Sequence, residues 1–78
     1  MPSVLMFAQA REAAGVSRVD SEGATVADVV QDLRARFGEE FSDVIATSTI
    51  WCNGERAQPG DPVHSGDEVA ILPPVSGG

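Results

Sequence analysis

The sequence predicts an α+β domain in which a mixed sheet is covered on one face by one main helix. Three observations predict it. Apolar strand-forming runs lie near both ends, at Ser3 to Ala8 and Val69 to Leu72. Between them, Val26, Val29, Val30, Leu33 and Phe37 fall on a single helical stripe. Asn53-Gly54 follows a third strand-like run and signals a tight hairpin. A helix with one apolar face needs a sheet to cover, and the strands supply it.

Ser3 to Ala8 is continuously apolar after its first residue, which predicts a central strand buried on both faces. Gln9 to Gly15 contains good helix formers closed by a glycine, a helical turn or a short loop. Val16 to Asp20 is a weaker strand, and Ser21 to Ala24 turns around Gly23. Thr25 to Phe37 is the clearest helix, with Thr25 as N-cap and Asp28 three residues on. Arg34 and Arg36 complement the dipole near its end, and Gly38 stops it. Glu39 to Ala46 reads as a second short helix presenting Phe41, Val44 and Ile45. Thr49 to Cys52 is a third strand, and Glu55 to Ala57 returns from the Asn53-Gly54 turn. Pro59 to Pro62 is loop, and Val63 to Asp67 leads into the last strand. If the first and last strands pair at the centre, the connection makes them parallel. Phe7 and Trp51 read as core residues, with a partner-binding role as the alternative.

Seventy-eight residues make one domain near the lower limit for a self-sufficient core. We divide it into a body, residues 1–75, and a C-terminal tail, residues 76–78. Twelve acidic residues face five arginines and no lysine, for a net charge of −7. That balance argues against nucleic acid and anionic membranes as partners. It also leaves no side-chain amine to be acylated. Val4 to Ala8 is too short to span a bilayer. The single cysteine excludes an internal disulfide and fits a reducing, cytoplasmic location. Cys52 reads as core and His64 as surface. With so few ligands no metal site is expected. No Gly-rich phosphate loop opens the helix, so the chain is not expected to bind ATP by itself.

The working end is expected at the C-terminus. Pro73 and Pro74 end the last strand, since proline has no N–H to donate and fixes φ. They favour an extended path for Val75, Ser76, Gly77 and Gly78. Pro73 to Gly78 would reach on the order of 20 Å if extended. Two glycines without Cβ atoms can thread a narrow channel. A terminal carboxylate, with a reference pKa of about 3.3–3.7, is an unreactive anion at neutral pH and needs activation before acyl chemistry. By itself a Gly-Gly ending reads as a frayed end or an expression scar. Its setting after a strand and two prolines gives it the second reading, a carboxylate delivered to a partner.

Phe7-Ala8-Gln9-Ala10-Arg11-Glu12-Ala13-Ala14-Gly15 resembles the start of the small, sulfur-carrying subunit of molybdopterin synthase. Ser65 to Gly78, ending Pro-Pro-Val-Ser-Gly-Gly, resembles that family's C-terminal signature. Asn53-Gly54 stands where the family turns after its third strand. The resemblance implies a ubiquitin-like β-grasp fold and a protein that is not catalytic alone. It implies that an E1-like enzyme uses ATP to adenylate Gly78, and that a persulfide donor converts it to a thiocarboxylate. The large subunit of molybdopterin synthase would then accept the tail and pass sulfur to precursor Z. By the same resemblance Ser76 and Gly77 thread into partners, and Arg11, Leu72, Pro74 and Val75 face them. For Leu72 and Arg11, a last core residue and a surface ion-pairing arginine are the alternatives. Arg56 departs from the pattern, placing a charge where an apolar contact is expected. Carriers for thiamin thiazole or cysteine synthesis, and protein modifiers conjugated through a terminal glycine, share the ending.

Overall fold

The structure, a computed structural model, describes residues 1–74. Val75, assigned above to the body and the partner-facing surface, and Ser76, Gly77 and Gly78 lie outside the described residues. The order is β1 (Ser3–Met6), α1 (Ala8–Ala14), β2 (Arg18–Asp20), α2 (Val26–Phe37), α3 (Glu39–Ala46), β3 (Thr49–Cys52), β4 (Glu55–Arg56) and β5 (Glu68–Leu72). The five strands form one sheet in the order β2-β1-β5-β3-β4. β5 runs parallel to β1, with Val4 opposite Val69, and antiparallel to β3, with Ile50 opposite Ile71. The two apolar end runs therefore pair at the centre and, as expected for that pairing, run parallel.

Three helices cover one face of the sheet. Val4, Met6, Val69 and Ile71 point into that face and are buried. Val29 and Leu33 from α2, Phe41 and Ile45 from α3, and Ala10 from α1 close over them. The expectation that β1 is buried on both faces is corrected. Its burial alternates, with Ser3 and Leu5 only half-buried, because no helix covers the second face. β1 also ends at Met6 rather than Ala8. Ala8 takes φ 48°, a left-handed conformation unfavourable for a residue with a Cβ, and starts α1 there. α1 is a true helix, closed by Gly15 at φ 80°. β2 is shorter than predicted: Val16 is exposed, although Met6 N–H still bonds the Ser17 carbonyl.

α2 begins as its sequence dictates. Thr25 Oγ1 accepts the Asp28 N–H at 3.2 Å. Two further first-turn donors are satisfied from the loop before β5: Val26 N–H bonds Asp61 O and Ala27 N–H bonds Pro59 O. Gly38, at φ 88°, ends α2 and starts α3 in one residue. That sharp reversal brings the Phe37 and Phe41 rings to 5.2 Å. Asn53 (φ 52°) and Gly54 (φ 84°) both lie at positive φ, the backbone a tight β3–β4 hairpin needs.

Candidate functional site

The site is built where β5 ends. β5 is the sheet's central strand, so the segment after it leaves from the middle of the layer rather than from an edge. Leu72, the last β5 residue, lies opposite Thr49 of β3 and is 39% exposed. On the other side Phe7 N–H bonds the Ile71 carbonyl at 3.3 Å, and Phe7 is 45% exposed. Two large apolar side chains are thus partly exposed at the root of the tail. The core expectation for Phe7 is corrected: it caps α1 at the sheet's end, beyond the reach of the helical cover.

Strand alternation extends this apolar surface over the uncovered face. Val69 and Ile71 are buried, so Ala70 and Leu72 belong to the opposite face. Leu5 and Trp51 are the partners of Ala70 on either side, and all three are half-buried. Trp51 was also expected in the core and is not among the residues packed there. Its indole stands on the uncovered face instead. Arg18 lies opposite Leu5, and Arg56 opposite Trp51, so an arginine borders the patch on each flank. The charge of Arg56 therefore sits beside an apolar surface, at its margin.

The remaining expected residues divide. Pro74 is exposed and lines a small recess of about 260 Å³ with Gln9, Asp43, Val44 and Thr47, on the helical side of the tail's root. Arg11 is exposed on α1 and lines a different recess, with Glu12, Gly15, Val16, Ser17 and Arg18. The structure thus brings Leu72 and Phe7 to the tail's root and places Arg11 in another recess. Leu5 and Ala70 were not named as site residues from sequence, and Trp51 was named only as the alternative to a core role. The signal that finds them is the two-residue period of β5 read outward from its buried face.

Cys52 packs half-buried against the core. Burial pushes its thiol pKa up, and the charges of Asp67, Asp61 and Glu55 add to the shift. That is the opposite of what activates a thiol nucleophile. Among the described residues no group of three metal-ligating side chains forms, and no helix is long and apolar enough to cross a membrane.

A five-stranded mixed sheet under a helical layer, with β1 and β5 parallel at its centre, defines a ubiquitin-like β-grasp protein. The chain belongs to the ThiS family of ubiquitin-like sulfur carriers, whose profile matches residues 4–78. It is similar to the molybdopterin synthase sulfur carrier subunit of Chlamydomonas reinhardtii, at 39% identity covering 96% of this chain and 95% of that one. It is also similar to small archaeal modifier protein 1 of Haloferax volcanii, at 37% identity covering 94% and 95%. A crystal structure of SAMP1 from Haloferax volcanii superposes with a TM-score of 0.82 at 36% identity, covering 99% of this chain and 98% of that one.

Proposed function

We propose that this chain is the sulfur carrier of molybdopterin synthase, delivering sulfur as a thiocarboxylate on Gly78. The observation that carries the reading is the Pro-Pro-Val-Ser-Gly-Gly ending, placed directly after the central strand. The 39% identity to a molybdopterin synthase sulfur carrier subunit supports the pathway.

The chemistry follows from the terminal carboxylate. An E1-like enzyme joins it to the α-phosphate of ATP and releases pyrophosphate, making the acyl carbon electrophilic. The terminal sulfur of a persulfide attacks that carbon and displaces AMP. A second thiol then cleaves the S–S bond, forming a disulfide with the donor and leaving the thiocarboxylate on Gly78. The large subunit of molybdopterin synthase takes up the tail, and sulfur passes to precursor Z. The carrier supplies no acid, base or nucleophile to these steps. Its contribution is position: a rigid body, an apolar docking face around Leu5, Trp51, Ala70 and Leu72, and a tail narrow enough to thread.

The 37% identity to a small archaeal modifier protein favours a second reading, conjugation to lysines of other proteins through Gly78. Both readings begin with the adenylate and diverge at the acceptor. Intact mass after incubation with an E1-like enzyme, ATP and a sulfur source tests them. A gain matching exchange of one oxygen for sulfur, followed by dithiolene formation with the large subunit and precursor Z, is expected. Isopeptide conjugates without thiocarboxylate would move the assignment to a modifier. No mass change, with an activating enzyme competent on another carrier, would refute both. Extending the chain by one residue past Gly78 should abolish activation and leave the fold intact.

A further inference from the structure

A groove of about 680 Å³ runs between α2 and the β3–β4 edge of the sheet. Its apolar lining comes from Val26 and Val30 of α2, Ile50 of β3, and Ala57 just after β4. Two arginines also line it: Arg34 from α2, and Arg56, which as Trp51's partner on the edge strand β4 stands at the sheet's margin between the groove and the uncovered face. No aspartate or glutamate does, although the chain holds twelve acidic residues against five arginines. In a protein of net charge −7 this is a locally cationic recess.

The arginines are uncommitted. Among the described residues the only salt bridge joins Arg36 to Asp32, and Arg18 bonds Ser3 Oγ. Neither Arg34 nor Arg56 donates a side-chain hydrogen bond there. The α2 sequence explains this for Arg34, whose neighbours one turn away are Val30, Gln31 and Phe37. A guanidinium pairs well with a carboxylate through parallel N–H donors. The groove also borders an edge strand, since β4 pairs only with β3. The outward backbone groups of such a strand are open to an added extended segment.

We propose that this groove binds an extended acidic–apolar segment of a partner protein, lying along β4. Its carboxylates pair with Arg34 and Arg56, and its alternate apolar side chains rest on Val26, Val30, Ile50 and Ala57. The inference rests on the groove alone and holds for either acceptor of the tail.

The test is an amide-shift NMR titration of the full ¹⁵N-labelled chain with a blocked octapeptide alternating glutamate and leucine. Octapeptides alternating lysine and leucine, and glutamate and serine, serve as controls. Saturable shifts at Arg34, Ile50, Arg56 and Ala57 are expected with the glutamate–leucine peptide and with neither control. Both arginines are exposed, so the Arg34→Glu, Arg56→Glu double variant keeps its fold, and its affinity should fall at least about tenfold. No saturable shift at millimolar peptide, shifts confined to Leu5 and Ala70, or unchanged affinity in the double variant would overturn the proposal. Two other results would overturn it by naming a different occupant. Groove shifts caused by truncation after Pro74 would assign the groove to the chain's own tail. Shifts that grow with protein concentration alone would assign it to a second copy.

Discussion

The side-chain amide of Asn53 donates to Asp67 Oδ1 at 3.0 Å and ties the β3–β4 turn to the start of β5. The same residue's Oδ1 accepts the Glu68 N–H at 2.9 Å, while its own N–H bonds the Glu68 carbonyl at 2.8 Å. Asp67 in turn accepts the His64 N–H through Oδ2 at 2.8 Å. One turn residue and one carboxylate thus set where the central strand begins.

These bonds make acid stability a test of the knot. The His64 N–H first, and the Asn53 amide second, hold the Asp67 carboxyl below its ordinary range. The folded chain therefore binds this proton less tightly than the unfolded chain. The stabilisation is present above the unfolded value, about 3.9, and is lost as pH falls through the lower folded value. Asp67→Asn should melt at a lower temperature than the parent at pH 7, and the gap should narrow below about pH 4. Melting curves from pH 7 to 2 check this; a gap independent of pH would refute it.

Gly23 tests how closely the β2–α2 connection packs on the helix. A Cβ there would lie 2.6 Å from the Val29 nitrogen and 2.7 Å from its Cγ2. The first of these atoms is helix backbone, which yields little. Gly23→Ala should cost about 1–3 kcal/mol in urea unfolding. Gly60→Ala, whose Cβ would meet nothing within 4 Å, should be neutral or stabilising by up to about 1 kcal/mol. Equal effects at both positions would contradict the packing.

What sequence made legible follows from the range of the forces involved. Thr25, the α2 stripe and Asn53-Gly54 act within one turn of chain, and each stands where its local chemistry put it. The pairing of the end strands was readable because both are apolar and only the centre of a sheet suits them. Phe7 and Trp51 were misplaced because side-chain type reports hydrophobicity and not which face the helices leave bare. The Asn53–Asp67 bond joins residues fourteen positions apart, and nothing local to either announces it. The cationic groove was equally hidden, since Arg34 and Arg56 come to line one groove only when α2 is laid beside the β3–β4 edge.

Cys52 should behave as a guarded thiol. With its pKa raised by burial and three nearby carboxylates, it should alkylate with iodoacetamide more slowly at pH 8 in the folded chain than in urea. The folded state holds this proton more tightly, so the associated stability is full below the unfolded value, about 8.5, and is lost as pH rises through the folded one. Cys52→Ser should flatten that alkaline loss in melting curves. Equal alkylation rates in the folded and unfolded chain would show that the thiol is not guarded.

Phe7 and Leu72 separate docking from folding. Both are partly exposed at the tail's root, so truncation removes less buried area than at a core position. Phe7→Ala and Leu72→Ala should each cost about 1–2 kcal/mol of stability. Leu33→Ala, at a fully buried position on α2, should cost about 2–5 kcal/mol. Binding should rank the variants the other way. If the large synthase subunit is the partner, as proposed above, either truncation removes apolar area from the docking face and should weaken that binding by about tenfold. Leu33→Ala should weaken it only by the fraction of chain it unfolds. Calorimetric titration of the three variants beside their unfolding curves gives both rankings. Wild-type affinity in Phe7→Ala and Leu72→Ala together would remove the apolar root from the docking surface and leave recognition to the tail alone.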